Sequence, residues 1–208
     1  MQVIDLSYQL NNNIPIYPGD PKVEIEITST KETVGFQVSR IQLGTHSGTH
    51  IDLPGHFIKG GLTADKFNLD AFIGDAVVVN LPYSTNPNIT VEDLAHLSKL
   101  KNKILIINSG WSAKINSEDF FTSHPQITLD ATQYLIQSGI KLIACDMPSV
   151  EQSETDFPVH KKFLEAGIPI VQMLCNLDKL GNSKIQFIAL PLKIEKGDGS
   201  PVRAVGII

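Results

Sequence analysis

The stretch Thr128-Leu129-Asp130-Ala131-Thr132-Gln133-Tyr134-Leu135-Ile136-Gln137-Ser138-Gly139, followed by Lys141-Leu142-Ile143-Ala144, decides the fold class. Thr128 is a good N-cap, and Leu129, Thr132, Leu135 and Ile136 share one helical face. Gly139 supplies the left-handed stop. The run at 141–144 is short and apolar after Lys141, one of several brief runs rich in Ile and Val along the chain, so it reads as a strand. The pattern repeats downstream: a helix over 160–166 ends at Gly167, and an apolar run occupies 168–174. Upstream, strand-like runs at 76–79 and 104–107 flank a helix predicted over 90–100. That helix opens on the capping box Thr90-Val91-Glu92-Asp93. Further strands are predicted at 185–192 and 202–208, and residues 23–28 alternate as a half-exposed strand does. Residues 11–13 and 86–88 read as loops. Helix and strand alternate in the second half, while the first half is strands and loops. The prediction is an α/β fold with a mixed sheet. No repeat or long linker splits the chain, so one domain spanning 1–208 is expected.

Composition narrows the function. The net charge is -5 with 17 Lys plus Arg among 208 residues, which gives nucleic acid no general electrostatic handle. No apolar run approaches the ~20 residues that span a bilayer. The N-terminus shows neither the basic nor the apolar part of a signal peptide. Cys145 and Cys175 lie far apart in apolar runs without CxxC spacing, so buried free thiols are expected. A cytoplasmic, reducing location follows as an expectation.

Residues 44–57 read Gly-Thr-His-Ser-Gly-Thr-His-Ile-Asp-Leu-Pro-Gly-His-Phe. His46, His50, Asp52 and His56 all fall at even positions, and alternate residues of an extended chain share a face. Two imidazoles and a carboxylate suit Zn²⁺, Mn²⁺ or Fe²⁺. Spacing sets a condition. Four residues of straight strand span ~13 Å, too far for two ~2 Å bonds to one ion. A bend near Gly48 brings His46 and His50 together. The spacing leaves metal binding and acid/base chemistry both open. Other chemistries lack support: there is no GxSxG, P-loop or GxGxxG pattern. His96 and His124 read as ordinary surface histidines.

The motif His46-x-Gly48-Thr49-His50-x-Asp52-x-Pro54-x-His56-Phe57 resembles the signature of the metal-dependent cyclase family. That family includes bacterial kynurenine formamidases, isatin hydrolases and trans-dienelactone hydrolases. Asp5-Leu6-Ser7, Tyr17-Pro18-Gly19-Asp20-Pro21, Asn108-Ser109-Gly110-Trp111 and Asp146-Met147-Pro148-Ser149 extend the likeness. So do Pro158-Val159-His160, Leu190-Pro191-Leu192 and Asp198-Gly199-Ser200-Pro201-Val202-Arg203-Ala204. The resemblance implies a swivelling β/α-type domain and a homodimer or homotetramer. It implies His46, His50 and Asp52 as ligands of a first metal, with Asp52 bridging to a second held by His160. His56 becomes the proton-transfer residue, and Tyr17 falls in a substrate-contacting position. Phe57, directly after His56, reads as lining the same cleft, and Trp111, the single tryptophan, reads as either a substrate contact or a packing residue.

Two departures matter. Formamidases of the family carry a glutamate where this chain has Gln172. An amide offers a carbonyl oxygen without charge, so the second site is weakened and one ion or two remain open. Tyr17 stands where Trp is usual, keeping an aromatic face and adding a hydroxyl. The resemblance therefore implies a metal-dependent hydrolase of small amides, arylformamidase-like, using Zn or Mn on a small-molecule substrate. An isatin or lactone hydrolase, or a non-catalytic metal-binding relative, is the alternative. A structural domain with incidental histidines is the third reading.

Overall fold

Ile104, Leu105, Ile106 and Ile107 are all fully buried. A strand apolar on every side must be covered on both faces, so this run sits at the centre of a sheet. The protein is described here as a computed structural model, covering residues 1–152, 155–181 and 184–208.

The chain opens with β1 (Val3–Asp5), then β2 (Glu24–Ser29), a single turn α1 (Lys31–Val34) and β3 (Val38–Gln42). Strand β4 (His50–Asp52) follows, then β5 (Ile73–Asn80), β6 (Asn88–Ile89) and the short α2 (Val91–Leu94). The centre comprises β7 (Ile104–Asn108), β8 (Gln126–Ile127), α3 (Leu129–Gln137), β9 (Leu142–Cys145) and α4 (Pro158–Glu165). Strands β10 (Ile170–Gln172), β11 (Ile185–Ile188), β12 (Gly199–Pro201) and β13 (Val205–Ile207) complete it.

Among the described residues, nine strands form one mixed sheet in the order β1-β13-β11-β5-β7-β9-β10-β4-β12. The β5-β7-β9-β10 pairings are parallel, and both flanks are antiparallel. The α/β mixed-sheet expectation is met. Alternation along β7 divides the core. Leu105 and Ile107 join Leu135, Phe163 and the other helix-side residues, while Ile104 and Ile106 face Leu53, Phe72 and Phe187.

Several local expectations need correction. The helix predicted over 90–100 stops at Leu94. Leu94 and Leu100 are both buried, yet six residues of helix would turn them by ~240°. Burying both requires leaving the helix, and Lys99 adopts φ 58° on the way. In α3 the buried stripe is Ala131, Thr132 and Leu135, and Leu129 is exposed at the first helical position. The run at 168–174 is strand only over Ile170–Gln172, because Met173 turns left-handed at φ 55°. Cys145 is buried as expected, but Cys175 is only half-buried. His124 is buried rather than on the surface, with Nδ1 2.7 Å from the carbonyl oxygen of Pro125. Among the described residues no helix is long and apolar enough to cross a membrane.

Candidate metal centre and cavity

Sheet register assembles the site. In β4, His50 lies opposite Gln172 of β10 and Pro201 of β12. Asp52 lies opposite Ile170 and Gly199. Residues distant in sequence thus meet at one end of the sheet.

His46 reaches this strand because the chain turns before it. Gly48 has φ 64°, a left-handed conformation that favours glycine. A Cβ there would also lie 2.8 Å from Cδ2 of Leu10. The turn brings the His46 and His50 ring centroids to 5.3 Å. One ligand atom each from His46, His50 and Asp52 lies within 4.8 Å of the others.

Asp52 stands at the centre. Its Oδ1 is 2.7 Å from Nδ1 of His46 and 3.4 Å from Nε2 of His50. Its Oδ2 is 3.6 Å from Nε2 of His160. Burial opposes its charge, but His46 and the other imidazoles outweigh that and hold the carboxyl well below the usual range. Burial likewise opposes a charged His46, yet Asp52 and Asp198 overcome it and raise its pKa. His50 is different: burial dominates and lowers its pKa, leaving a neutral imidazole at pH 7. Its Nδ1 is 2.7 Å from the Gly48 carbonyl, which directs Nε2 toward Asp52. A buried ionised carboxylate beside a neutral imidazole with a free ring nitrogen is a donor set that fits a divalent cation.

His160 comes from α4, held by Glu151. The Glu151 carboxylate accepts the backbone N–H groups of Val159 and His160, at 2.9 and 2.8 Å. Its Oε1 also faces Nδ1 of His160 at 2.8 Å. One buried carboxylate thus caps the helix and orients the ring. Gln172 Nε2 lies 2.9 Å from Nε2 of His160.

These groups open onto a cavity of about 300 Å³. Tyr17, Phe57, Phe121 and Phe157 supply aromatic walls, and His46, His50, Asp52, His56, His160 and Gln172 supply the polar floor. Phe57 and Phe157 have centroids 5.4 Å apart, and Tyr17 meets Phe121 edge-on at 5.8 Å. Trp111 is not among the lining residues. It is 3% exposed and donates its indole N–H to the Phe120 carbonyl at 3.0 Å, as a packing residue does.

Sequence reasoning missed Asp198, whose Oδ2 is 2.8 Å from Nε2 of His46 and 3.0 Å from Nδ1 of His56. It also missed Glu151, Phe121 and Phe157. Asp198 opens the segment Asp198-Gly199-Ser200-Pro201, but only the pairing of β12 with β4 places it beside the histidines. Glu151 carried no such signal.

A mixed α/β sheet bearing a His/Asp centre at the floor of an aromatic cavity defines the class. The chain belongs to the Cyclase family, whose sequence model matches residues 4–152. It is 33% identical over 206 residues to a kynurenine formamidase of Bacillus cereus, covering 97% of this chain and 95% of that one. An isatin hydrolase structure bound to the product analogue thioisatinate superposes with TM-score 0.89 at 27% identity, covering 100% and 92% of the two chains. A structure described as a potential metal-dependent hydrolase with cyclase activity matches with TM-score 0.83 at 26% identity, covering 99% and 96%.

Proposed function

We propose that this kynurenine formamidase-like hydrolase is a cytoplasmic, metal-dependent enzyme that cleaves the C–N bond of an aryl formamide of the N-formylkynurenine type. One observation carries the reading: His46, His50 and Asp52 converge on the floor of a cavity walled by Tyr17, Phe57, Phe121 and Phe157. Ligand pockets combine such apolar walls with a few convergent polar groups. A planar aryl group suits those walls, since offset and edge-to-face ring packing is favourable.

His46, His50 and Asp52 would hold the first divalent ion, Zn²⁺ or Mn²⁺, and His160 with Gln172 would contribute to any second. An ion so held supplies Lewis-acid chemistry, acidifying water and polarising a carbonyl. The chain's own residues do the rest. The aromatic walls orient the ring and exclude water. His56 lies on the cavity wall with Nδ1 toward Asp198, so Nε2 is its reacting nitrogen. Nε2 takes the proton of the attacking water and delivers it to the leaving nitrogen as the C–N bond breaks.

A second reading, hydrolysis of a cyclic amide such as isatin, is favoured by Gln172. Its pairing with His160 puts a neutral amide where a second carboxylate ligand would stand. Turnover of N-formylkynurenine, isatin and a lactone by the metal-analysed enzyme separates the two readings. Loss of neither metal nor turnover in His50→Ala would overturn both.

The enzyme is proposed to be a homodimer or homotetramer. In the hairpin of β2 and β3, Ile27, Phe36, Val38 and Ile41 are all exposed, an apolar arm that association would cover. Sedimentation showing a monomer at micromolar concentration would overturn this. The free thiols of Cys145 and Cys175 support a reducing compartment.

A further inference from the structure

We propose that Asp198 is a positioning residue for the hydrolysis, fixing the ring of His56 and the ring of His46 through one carboxylate oxygen. The proposal rests on the reading of His56 as the proton-transfer group.

The geometry is specific. Oδ2 of Asp198 faces Nδ1 of His56 at 3.0 Å and Nε2 of His46 at 2.8 Å. The two imidazoles lie against each other, centroids 4.0 Å apart and planes inclined by 31°. Oδ1 is occupied separately, accepting the Thr45 hydroxyl at 2.9 Å. Both oxygens are therefore tied, and the carboxylate cannot rotate without breaking a bond.

The backbone beneath it is also held. The Asp198 carbonyl accepts the Leu53 N–H at 3.0 Å, and Gly199 pairs with Asp52 in the β12-β4 ladder. A Cβ at Gly199 would lie 2.6 Å from the Ile51 carbonyl oxygen and 2.7 Å from Cε1 of His46. Only glycine lets the strand approach this closely, so the Asp-Gly step sets the Asp198 carboxylate against both rings.

The consequence is a fixed tautomer at His56 and a fixed Nε2 proton at His46. A carboxylate only accepts, so each facing ring nitrogen must carry hydrogen. His56 then donates from Nδ1 and keeps the Nε2 lone pair for the substrate side. His46 faces a carboxylate at each ring nitrogen, Asp198 at Nε2 and Asp52 at Nδ1, so without an ion both carry hydrogen. Asp198 holds the Nε2 proton, and Nδ1 is the nitrogen that would give up its proton to an ion beside Asp52. A carboxylate that orients a base and a carboxylate that orients a metal-ligating ring are both familiar devices. Here one group performs both, which couples the position of the base to that of the ion.

The test uses the full-length, metal-loaded protein with Asp198→Asn and Asp198→Ala. Nitrogen-15 NMR of the histidine rings reads the His56 tautomer directly. Expected is a proton on Nδ1 in the parent and its loss from that nitrogen in Asp198→Ala. Steady-state kinetics should show kcat lowered at least about tenfold to a hundredfold, with KM within about threefold in Asp198→Asn. Zn²⁺ titration should show affinity weakened by about tenfold to a hundredfold. At saturating Zn²⁺, where the His46 branch no longer limits metal occupancy, adding Asp198→Asn to a His56→Ala background should cause little further loss of kcat. An unchanged His56 tautomer in Asp198→Ala, or losses that multiply in the double variant, would overturn the proposal. If no substrate is turned over, the proposed function fails, while the ring spectra and metal titration still decide the role of Asp198.

Discussion

The side-chain nitrogen of Gln172 sits 2.9 Å from Nε2 of His160, and the opposite ring nitrogen of that histidine faces Glu151 at 2.8 Å. With Nδ1–H donated to the carboxylate, the Nε2 lone pair accepts the Gln172 amide. That lone pair is the one a second ion would need. Gln172→Glu replaces a competing donor with a charged acceptor beside Asp52. Metal analysis after Zn²⁺ or Mn²⁺ reconstitution should then rise from one ion per chain toward two. An unchanged stoichiometry would show that residue 172 does not limit the second site.

Glu151 should matter for stability as well as for site geometry. It accepts two backbone N–H groups at the start of α4, where Phe157 makes no side-chain cap. Glu151→Ala leaves these donors and Nδ1 of His160 without their acceptor. A loss on the order of 2–3 kcal/mol is expected, readable as a Tm decrease of roughly 5–10 °C. Glu151→Gln, which can still accept, should lose less.

Trp111 and Phe157 should separate packing from recognition. Trp111→Ala removes a buried ring and a hydrogen bond to Phe120, so about 3–5 kcal/mol of stability is lost. The corresponding Leu variant, which keeps more volume, should fold with KM for an aryl substrate unchanged. Phe157→Leu alters the cavity wall, so its KM should rise while its Tm moves little.

His124 predicts a direction for stability against pH. Burial lowers its pKa in the folded state. The unfolded chain binds the proton more readily, at an ordinary pKa of ~6.5. Stability is therefore fully present above about pH 6.5 and falls as pH drops through the folded pKa. Tm measured from pH 8 to pH 5 should decline more steeply in the parent than in His124→Gln. Equal slopes would refute a role for this residue.

Metal removal should destabilise the fold as well as stop turnover. An ion held at a hundred times its Kd adds about 2.7 kcal/mol. EDTA should lower Tm by several degrees in the parent and leave His50→Ala nearly unaffected, because His50 lines the proposed first site. Activity of His50→Ala should fall by roughly a hundredfold or more.

Local patterns carried much of the architecture. The 104–107 run, the Thr128 cap and the Gly139 and Gly167 stops were legible because caps, periodicity and β-branched runs act over a few residues. Pattern failed where burial overrode propensity. The capping box at Thr90 starts a helix, but the need to bury Leu100 ends it after one turn. The same division runs through the site. The clustering of His46, His50, Asp52 and His56, and the bend needed at Gly48, lie within one short segment and could be read there. An extended face holds only for His50 and Asp52: His46 lies in the preceding turn and His56 in a short 3-10 turn after the strand.

The amino-acid sequence by itself determined the mixed α/β class, the histidine cluster and the neutral amide at residue 172. Only the tertiary structure decided the partners. Register between β4, β10 and β12 sets Gln172 opposite His50 and Gly199 opposite Asp52, and the latter brings Asp198 to His56. Helix α4 carries His160 onto Glu151. It also left Trp111 outside the cavity and brought Phe121 and Phe157 into it. The physical reason is that strand pairing and core packing join residues more than a hundred positions apart, and no local pattern specifies that register.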